Sequence, residues 1–357
     1  MFVLGAIVSL CYVPGLTGAF IATQWPVLSV LLPLALWRSG TVTPLHWAGL
    51  LFVAYATVRL SYAPIFTDGV AGLWFVYIMA LSFWLGSTMD SLRKLYAGLA
   101  IGASVSSVIA ICQAFGYSVV PRVTETPAGL YVNSVAQGVV LSLLVVALIS
   151  ERMWLWVLPL LPGLYLAHSR GAWLALAVGV LSAYIRRIWV FAVLGGIGLL
   201  FLMRPLSSSD AMRIFIWDAA ARNLAWFGWG PGSFFSWILW YDGANLYPEY
   251  THNDALQLAF EYGVAALLPV GIFAFALTRT QEREWPIIVA FVTAGCYSMP
   301  LWVPAASFLG LVATGRVVRS WAVARSELRN RRFDFVPREH RYPSQPGSAV
   351  VSVVTRY

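Results

Sequence analysis

The sequence predicts an all-α membrane protein, a polytopic bundle of about twelve transmembrane helices with a large external loop that contains amphipathic helices. Of its 357 residues, 60% are hydrophobic and only 11% are charged, and the mean hydropathy is +0.75. A soluble domain of this size lacks the polar surface that such a composition would have to hide behind. Apolar runs also recur along the whole chain, and a helix satisfies its own backbone hydrogen bonds in lipid.

Apolar runs between polar breaks define the predicted spans. No basic residue precedes the first run, so we expect Met1 to Ala22 to be a span rather than a cleaved signal peptide. The predicted helices cover residues 2–22, 25–37, 45–60, 69–87, 93–115, 128–149, 153–168, 170–185, 188–203, 254–278, 285–303 and 304–320.

The basic residues predict the orientation of these spans. With an even number of spans and the N-terminus inside, 17 of the 23 face the cytoplasm, as expected for a multi-pass membrane protein with both termini cytoplasmic. The six that face outside are Arg59, Arg122, Arg170, Arg204, Arg213 and Arg222. This topology explains the formal charge of +8 better than nucleic-acid binding does, so we expect membrane lipids as partners and no nucleic acid.

One connection, residues 204–253, is far longer than the others and is predicted to lie outside. It is too rich in Trp, Phe and Tyr to be disordered, and we expect it to fold on the membrane surface with an amphipathic helix over 211–225. Residues 330–357 combine three prolines with polar and basic residues, which predicts a disordered cytoplasmic tail. Residues 1–329 then form the transmembrane domain.

The sharpest polar cluster is Thr251-His252-Asn253-Asp254, where the external loop is expected to enter the next span. Thr251 or Asn253 can cap that helix, and Asp254 suits its positive first turn. His252 then lies beside a helix N-terminus, which favours anionic groups. Its ordinary pKa near 6.5 would let it accept a proton from a sugar hydroxyl, although a capping or interfacial role without chemistry also fits this position.

Two arginines share the predicted outer side with His252. Arg170 follows His168-Ser169 between two apolar runs, and its guanidinium can bind a lipid diphosphate through two hydrogen bonds. Arg213 begins a segment in which Trp217, four residues later, shares its helical face. The alternative for either arginine is an interfacial side chain that reaches the headgroups without a ligand. After this segment, Gly230-Pro231-Gly232 allows a close backbone approach.

Other chemistries lack support in the sequence. The three cysteines lie in apolar stretches without CxxC spacing and are interpreted as packing residues. His46 and His340 fall at opposite ends of the chain and form no metal constellation with His252. The absence of a Walker A motif, a Gly-rich dinucleotide loop and paired carboxylates argues against ATP hydrolysis, hydride transfer and glycoside hydrolysis. We therefore expect neither a metal nor a cofactor.

Four segments between about Pro127 and Leu277 match the motifs of one family in their order. They are Gly129-Leu130-Tyr131-Val132-Asn133, then Ser169-Arg170-Gly171-Ala172-Trp173, then Arg213 to Trp217 with Gly230-Pro231-Gly232-Ser233-Phe234, then His252-Asn253 and, after nine residues, Gly263. With the long external loop in place, the chain resembles the O-antigen ligase and O-antigen polymerase superfamily of bacterial membrane glycosyltransferases. Ala266 departs from it, because a glycine or hydroxyl residue often stands there, and this departure bears on the ligase branch in particular.

The resemblance implies a metal-independent, inverting transfer of a glycan from undecaprenyl diphosphate to an acceptor sugar hydroxyl, at the periplasmic face of the bacterial inner membrane. The acceptor would be lipid A-core or a growing polysaccharide. His252 would be catalytic and position or deprotonate the acceptor hydroxyl, and Arg170 and Arg213 would neutralise the diphosphate. Possible further substrate contacts are Arg122, Arg222, Glu249 and Asn253. Asn133 is interpreted instead as a buried residue that hydrogen-bonds between helices.

Several functions stay open within and beyond this class. Ligase, polymerase and protein O-oligosaccharyltransferase differ only in the acceptor, which one sequence does not reveal. A flippase or transporter of lipid-linked oligosaccharide would also need many spans and arginines. Transporters place their key polar groups near the bilayer midplane, often in repeated halves, whereas these candidates crowd one face and no repeat is evident.

Overall fold

Helices make up most of the part of the chain that the computed structural model describes. That part comprises residues 1–10, 28–33, 44–117, 120, 126–131, 133–184, 208–236, 239–241, 244–246, 251–267, 283–298 and 300–333. Residues 28–33 are helical, and the longer or fully described helices are α1 Phe2–Leu10, α2 Pro44–Arg59, α3 Phe66–Thr88, α4 Arg93–Ala114, α5 Ser134–Ser150, α6 Leu161–Leu166, α7 Arg170–Tyr184, α8 Ser208–Arg222, α9 Ser233–Ser236, α10 Asp254–Tyr262, α11 Trp285–Tyr297 and α12 Pro304–Phe333. Short 3-10 turns occupy Leu60–Tyr62, Gly129–Tyr131, Trp154–Trp156, Leu158–Leu160, Val264–Ala266 and Pro300–Trp302. The helical class predicted from the sequence is therefore confirmed.

A small antiparallel ladder interrupts this helical architecture within the long connection. Strands β1 (Leu239–Tyr241) and β2 (Ala244–Leu246) pair with Trp240 opposite Asn245. The sequence analysis did not predict this ladder. The helix that it predicted over 211–225 is present as α8, three residues earlier at each end.

Two of the described helices, α3 and α4, are long and apolar enough to cross a membrane. They contain 23 and 22 residues, and their bounds agree with the predicted spans 69–87 and 93–115 to within three residues. Five shorter apolar helical segments follow predicted spans less fully, at Gly49–Tyr62, Ser134–Ser150, Trp154–Leu166, Arg170–Tyr184 and Trp285–Tyr297. The predicted span 188–203, and large parts of 2–22 and 25–37, lie outside the described residues, so a total of about twelve spans stays a prediction.

Three predicted spans were wrong in their continuity. The helix predicted over 254–278 ends at Tyr262, because Gly263 has a positive φ of 91° and a 3-10 turn follows it. The helix predicted over 153–168 is two 3-10 turns followed by the six-residue α6, and Pro159 and Pro162 stand at the starts of these pieces. The helix predicted over 285–303 ends at Tyr297, and a separate turn at Pro300–Trp302 precedes α12.

The last helix extends beyond its predicted end at residue 320. By its internal contacts the chain divides into a compact unit, Met1–Arg319, and a second unit, Ser320–Tyr357. The described part of the second unit is the continuation of α12 to Phe333. Of the tail predicted over 330–357, the first four residues are thus helical, and residues 334–357 lie outside the described part.

Small residues let the helices of the first unit approach closely. Gly98 of α4 lies so near the Phe2 carbonyl oxygen of α1 that an added Cβ would overlap it. Gly315 of α12 has the same relation to the Phe83 carbonyl oxygen of α3. Close backbone approach at small residues is how helices gain van der Waals contact when hydrophobic exclusion contributes little.

The two ends of α3 carry different chemistry. At its C-terminal end, the Arg319 guanidinium donates to the Thr88 carbonyl oxygen and to Asp90, whose Oδ1 lies 2.5 Å away. At its N-terminal end, residues 68–72 touch the segment Gly228–Phe234, which we call the glycine loop. A helix of 23 residues separates these features by about 30 Å. We call the Thr88 end the inner end and the glycine-loop end the outer end, after the sides that the sequence predicts for them.

The glycine loop is bound to α10 and α2 through backbone atoms. The backbone N–H groups of Trp229 and Gly230 donate to the carbonyl oxygens of Phe260 and Glu261, at 3.0 and 2.8 Å. Arg59 of α2 donates from its guanidinium to the Gly228 carbonyl oxygen. The close approach predicted for Gly230-Pro231-Gly232 is confirmed, because Gly230 and Gly232 have φ values of 101° and 66° and contact neighbouring backbone.

Replacing Gly232 with alanine is expected to lower the thermal unfolding midpoint of the detergent-solubilised protein. The new Cβ would overlap the Asp68 carbonyl oxygen, and the φ of 66° disfavours any side chain. We expect a loss of stability of about 2 kcal/mol or more.

Gly116→Ala is the matched control for this substitution. Gly116 has a φ of 87°, but no atom lies within 4 Å of its Cβ position. It should lose only the conformational term of about 1 kcal/mol. Equal midpoints for the two variants would contradict the close approach at Gly232.

Candidate active site

His252 lies at the start of α10 in a short segment, Thr251–Asn253, that we call the histidine loop. Asn253 caps the helix, since its Oδ1 accepts from the Leu256 N–H at 3.0 Å. Thr251 closes the turn, because its Oγ1 donates to the Asn253 carbonyl oxygen at 2.6 Å and accepts from the Asn253 N–H at 3.1 Å. These bonds hold His252 at a φ of 54°, a left-handed conformation that costs a residue with a Cβ about 1 kcal/mol or more.

Helix α8 fastens the histidine loop from one side. The Trp217 indole Nε1 donates to the Thr251 carbonyl oxygen at 2.7 Å. Arg213 lies one turn earlier on the same face, as the four-residue spacing predicted. Its guanidinium is close enough to His252 to act on the charge of the imidazole. The structure thus brings together two of the three principal residues that the sequence singled out.

The surroundings of His252 keep its imidazole uncharged. Burial and, to a smaller extent, the Arg213 guanidinium lower the pKa of His252 to about 4. The ring is therefore neutral near pH 7 and has a nitrogen lone pair available. Its Nδ1 is buried and makes no hydrogen bond to the described residues. A neutral imidazole beside a fixed cation can accept a proton from one group while the cation attracts an anionic neighbour.

The outer end of α11 forms another side of this region. Asn253 donates from Nδ2 to the Cys296 carbonyl oxygen at 3.5 Å. The next residue, Tyr297, faces α7, where a Cβ at Gly171 would lie 3.7 Å from the Tyr297 Cβ. Arg170, the first residue of α7 and the neighbour of Gly171, therefore reaches the same end of α11 as the histidine loop.

Arg170 does not join the pair directly. Its side chain is exposed and makes no hydrogen bond or ion pair with the described residues. Ser169 precedes it as a helix-capping residue, since its Oγ accepts from the Ala172 N–H at 3.4 Å. His168 has a positive φ of 48°, so a left-handed histidine stands at the entry to α7 as well as at the entry to α10. Arg170 is thus an exposed cation at the edge of the region, whereas Arg213 lies within it.

The remaining candidates from the sequence are distributed differently. Arg222 is exposed and pairs with Asp218 on its own helix, at 2.8 Å. Asn253 is accounted for by its capping role. Arg122 and Glu249 lie outside the described residues. Asn133 was wrongly interpreted as a residue that bonds between helices, because it caps α5 and accepts from the N–H groups of Val135 and Ala136 at 2.8 and 3.3 Å.

Two buried carboxyl groups of α10 were not predicted as site-building residues. Asp254, expected only to complement the first helical turn, is buried, and its Oδ2 accepts from the Leu301 N–H at 3.1 Å. Glu261 is buried beside the backbone N–H groups of Gly232 and Phe234, at the start of α9. The first fixes α10 to the segment after α11, and the second fixes it to the glycine loop. Their positions within an apolar run were the only sequence signal for these roles.

The described residues contain no group of three or more His, Cys, Asp and Glu side chains that would hold a metal ion. Comparison of the whole chain with known protein families and with characterised proteins yielded no match. The site therefore has to be interpreted from its own geometry: a neutral, shielded imidazole, a neighbouring guanidinium and a second arginine at the same end of the bundle.

Arg213→Gln is expected to raise the pKa of His252 above about 4, because the substitution removes a cation that disfavours the imidazolium. The pKa should stay below the ordinary value near 6.5, since burial is the larger cause. NMR titration of the histidine ring signals measures the change. Arg222→Gln is the control on the same helix and should leave the pKa at about 4. An unchanged pKa in Arg213→Gln would place the guanidinium away from the ring.

Proposed function

We propose that the protein is a membrane glycosyltransferase of the O-antigen ligase or polymerase type. It transfers a glycan from undecaprenyl diphosphate to the hydroxyl of an acceptor sugar, either on lipid A-core or on a growing polysaccharide. The observation that carries this proposal is the uncharged His252 beside Arg213 at the start of α10. A proton acceptor and a phosphate-binding cation are the two groups that such a transfer needs from the protein.

In the proposed reaction, the acceptor oxygen attacks the anomeric carbon of the donor sugar. His252 takes the hydroxyl proton as the new carbon–oxygen bond forms, and the bond between the anomeric carbon and the diphosphate breaks. The electron pair of that bond leaves with the lipid diphosphate. Attack from the side opposite the leaving group inverts the anomeric configuration, and the balance requires neither a metal nor a cofactor.

The arginines act on the leaving group in this scheme. Arg213 lies in a partly shielded site, where a charge–charge interaction is stronger than in water. Arg170 is exposed and available to a second phosphate oxygen. Arg122, Arg222 and Glu249 stay possible sugar or phosphate contacts.

The proposed location is the bacterial inner membrane, with the site on the periplasmic face and both termini in the cytoplasm. The apolar helices α3 and α4 support membrane insertion. The separation of the histidine loop from the inner-end contacts of Arg319 supports a site at one membrane face. Transport of lipid-linked oligosaccharide accounts less well for groups gathered at one end of the bundle, because transporters bind near the midplane.

His252→Ala is expected to abolish glycan transfer while leaving the protein inserted and abundant. The reason is that the variant lacks the proton acceptor, whereas the Asn253 cap that starts α10 is retained. The measurement is a reconstituted assay in which an undecaprenyl-diphosphate oligosaccharide is offered with lipid A-core, a polysaccharide chain or a peptide, and the gain in mass of each acceptor is followed.

The acceptor that gains mass decides between ligase, polymerase and protein O-oligosaccharyltransferase. Arg93→Ala, which removes an exposed cation at the inner end of the bundle, is the control for general effects of substitution and should transfer at the parent's rate. Transfer by His252→Ala at the parent's rate would remove His252 from the reaction and with it the proposed mechanism.

The orientation is tested by labelling single cysteines in a variant without Cys11, Cys112 and Cys296. Ala221→Cys, on the exposed face of α8, should react with a membrane-impermeant maleimide in cells whose outer membrane has been made permeable. Ser91→Cys, exposed at the inner end, should react only after the inner membrane is also opened. The reverse order of labelling would show that the site faces the cytoplasm.

A further inference from the structure

We propose that Trp217 is a positioning residue, which holds the histidine loop against α8 so that the imidazole of His252 and the guanidinium of Arg213 face the same substrate. This inference rests on the proposed function and extends it, because it names the side chain that sets the spacing between the proton acceptor and the phosphate-binding cation. Trp217 itself touches neither reacting atom.

The first step of the argument is that α8 is a fixed support. Three of its side chains, Ile216, Ala219 and Ala220, are buried in one apolar cluster with Phe234 and Phe260. Phe234 belongs to the glycine loop and its ring meets the Phe260 ring of α10 edge to face, with centroids 5.1 Å apart. Because α8, the glycine loop and α10 share this core, a bond from α8 to the histidine loop closes a rigid ring of elements.

The second step is that the histidine loop needs such a bond. His252 adopts a left-handed conformation that its side chain does not favour, and such conformations persist only where the surroundings hold them. Asn253 and the Gln257 amide, whose Oε1 accepts from the Thr251 N–H at 3.2 Å, hold the loop from α10. The Trp217 indole holds it from α8, through the Thr251 carbonyl oxygen.

The third step is that the same helix face supplies the support and the cation. Trp217 and Arg213 are one turn apart, so a displacement of the loop from Trp217 also moves His252 away from Arg213. The other described polar groups nearby are turned elsewhere. The Asp254 carboxyl accepts from Leu301, and Cys296 interacts with Asp254, so α8 supplies the cation that acts on the imidazole.

The test compares Trp217→Phe with Trp229→Phe. Trp229 is a close internal match, because its indole also donates to a backbone carbonyl oxygen at 2.7 Å, that of Asn223, and its ring packs against the same apolar cluster. Both variants lose one indole hydrogen bond and a similar volume. Only Trp217→Phe releases the histidine loop from α8.

We expect kcat of Trp217→Phe to fall about tenfold with little change in the donor KM, since about one hydrogen bond of positioning is lost. The acid limb of its pH–rate profile should move to higher pH. The sign follows from the native site: burial and Arg213 lower the pKa of His252 to about 4, so release from both raises it towards the ordinary value near 6.5. Trp229→Phe should keep the native acid limb.

NMR titration of His252 in the two variants gives a second readout that needs no turnover. A raised pKa in Trp217→Phe alone supports the positioning role. A native kcat and acid limb in Trp217→Phe, or equal changes in both variants, would overturn that role and leave the proposed function standing. Undiminished transfer by His252→Ala would overturn the proposed function, whatever the titration of the Trp217 variant shows.

Discussion

The backbone contact between the glycine loop and α10 is the constraint on which the candidate site depends. Paired hydrogen bonds from Trp229 and Gly230 to the last turn of α10 place the glycine loop, and with it α8, beside that helix. This contact requires glycine where the loop meets other backbone atoms, because a Cβ at Gly228 would overlap the Glu261 carbonyl oxygen. Glu261 then binds the start of α9 from the same turn. Since α10 begins at the histidine loop, its docking at the far end fixes where His252 stands relative to Arg213.

The sequence predicted those parts of the fold that depend on hydropathy and local spacing. Helices α3, α4 and α7 follow their predicted bounds closely, because long apolar runs between polar residues specify both length and limits. The shared face of Arg213 and Trp217 was predictable from the helical period alone. The break of α10 at Gly263 was not, because a glycine within an apolar run of a membrane protein is compatible with a continuous helix until the backbone of Trp226 and Phe227 is seen packed against it. Asp254 shows the same limit: one carboxylate in a first turn suggests a dipole effect, whereas its bond to Leu301 depends on a contact 47 residues away.

Two histidines in left-handed conformations mark the entries to α7 and α10. Each is followed by a residue whose side chain caps the helix, Ser169 in one case and Asn253 in the other. A left-handed residue directly before a helix turns the chain sharply, so the side chain before the cap leaves the helix axis. Glycine would adopt this conformation at lower cost, and the presence of histidine at both positions favours a role for the imidazoles over a purely local turn. At the α10 entry, the buried, unbonded Nδ1 of His252 agrees with that reading.

Arg213 has opposite effects on the proposed reaction before and after the donor binds. In the free protein its positive charge adds to burial in lowering the pKa of His252, which keeps the imidazole neutral but makes it a weak base. A bound diphosphate brings negative charge that offsets the guanidinium, and the pKa of His252 then rises from about 4, although burial still holds it below the ordinary value. The base therefore strengthens when the leaving group is in place and weakens when the site is empty. In a membrane site open to water, this order lets His252 remove a proton from the acceptor when the donor can accept the attack.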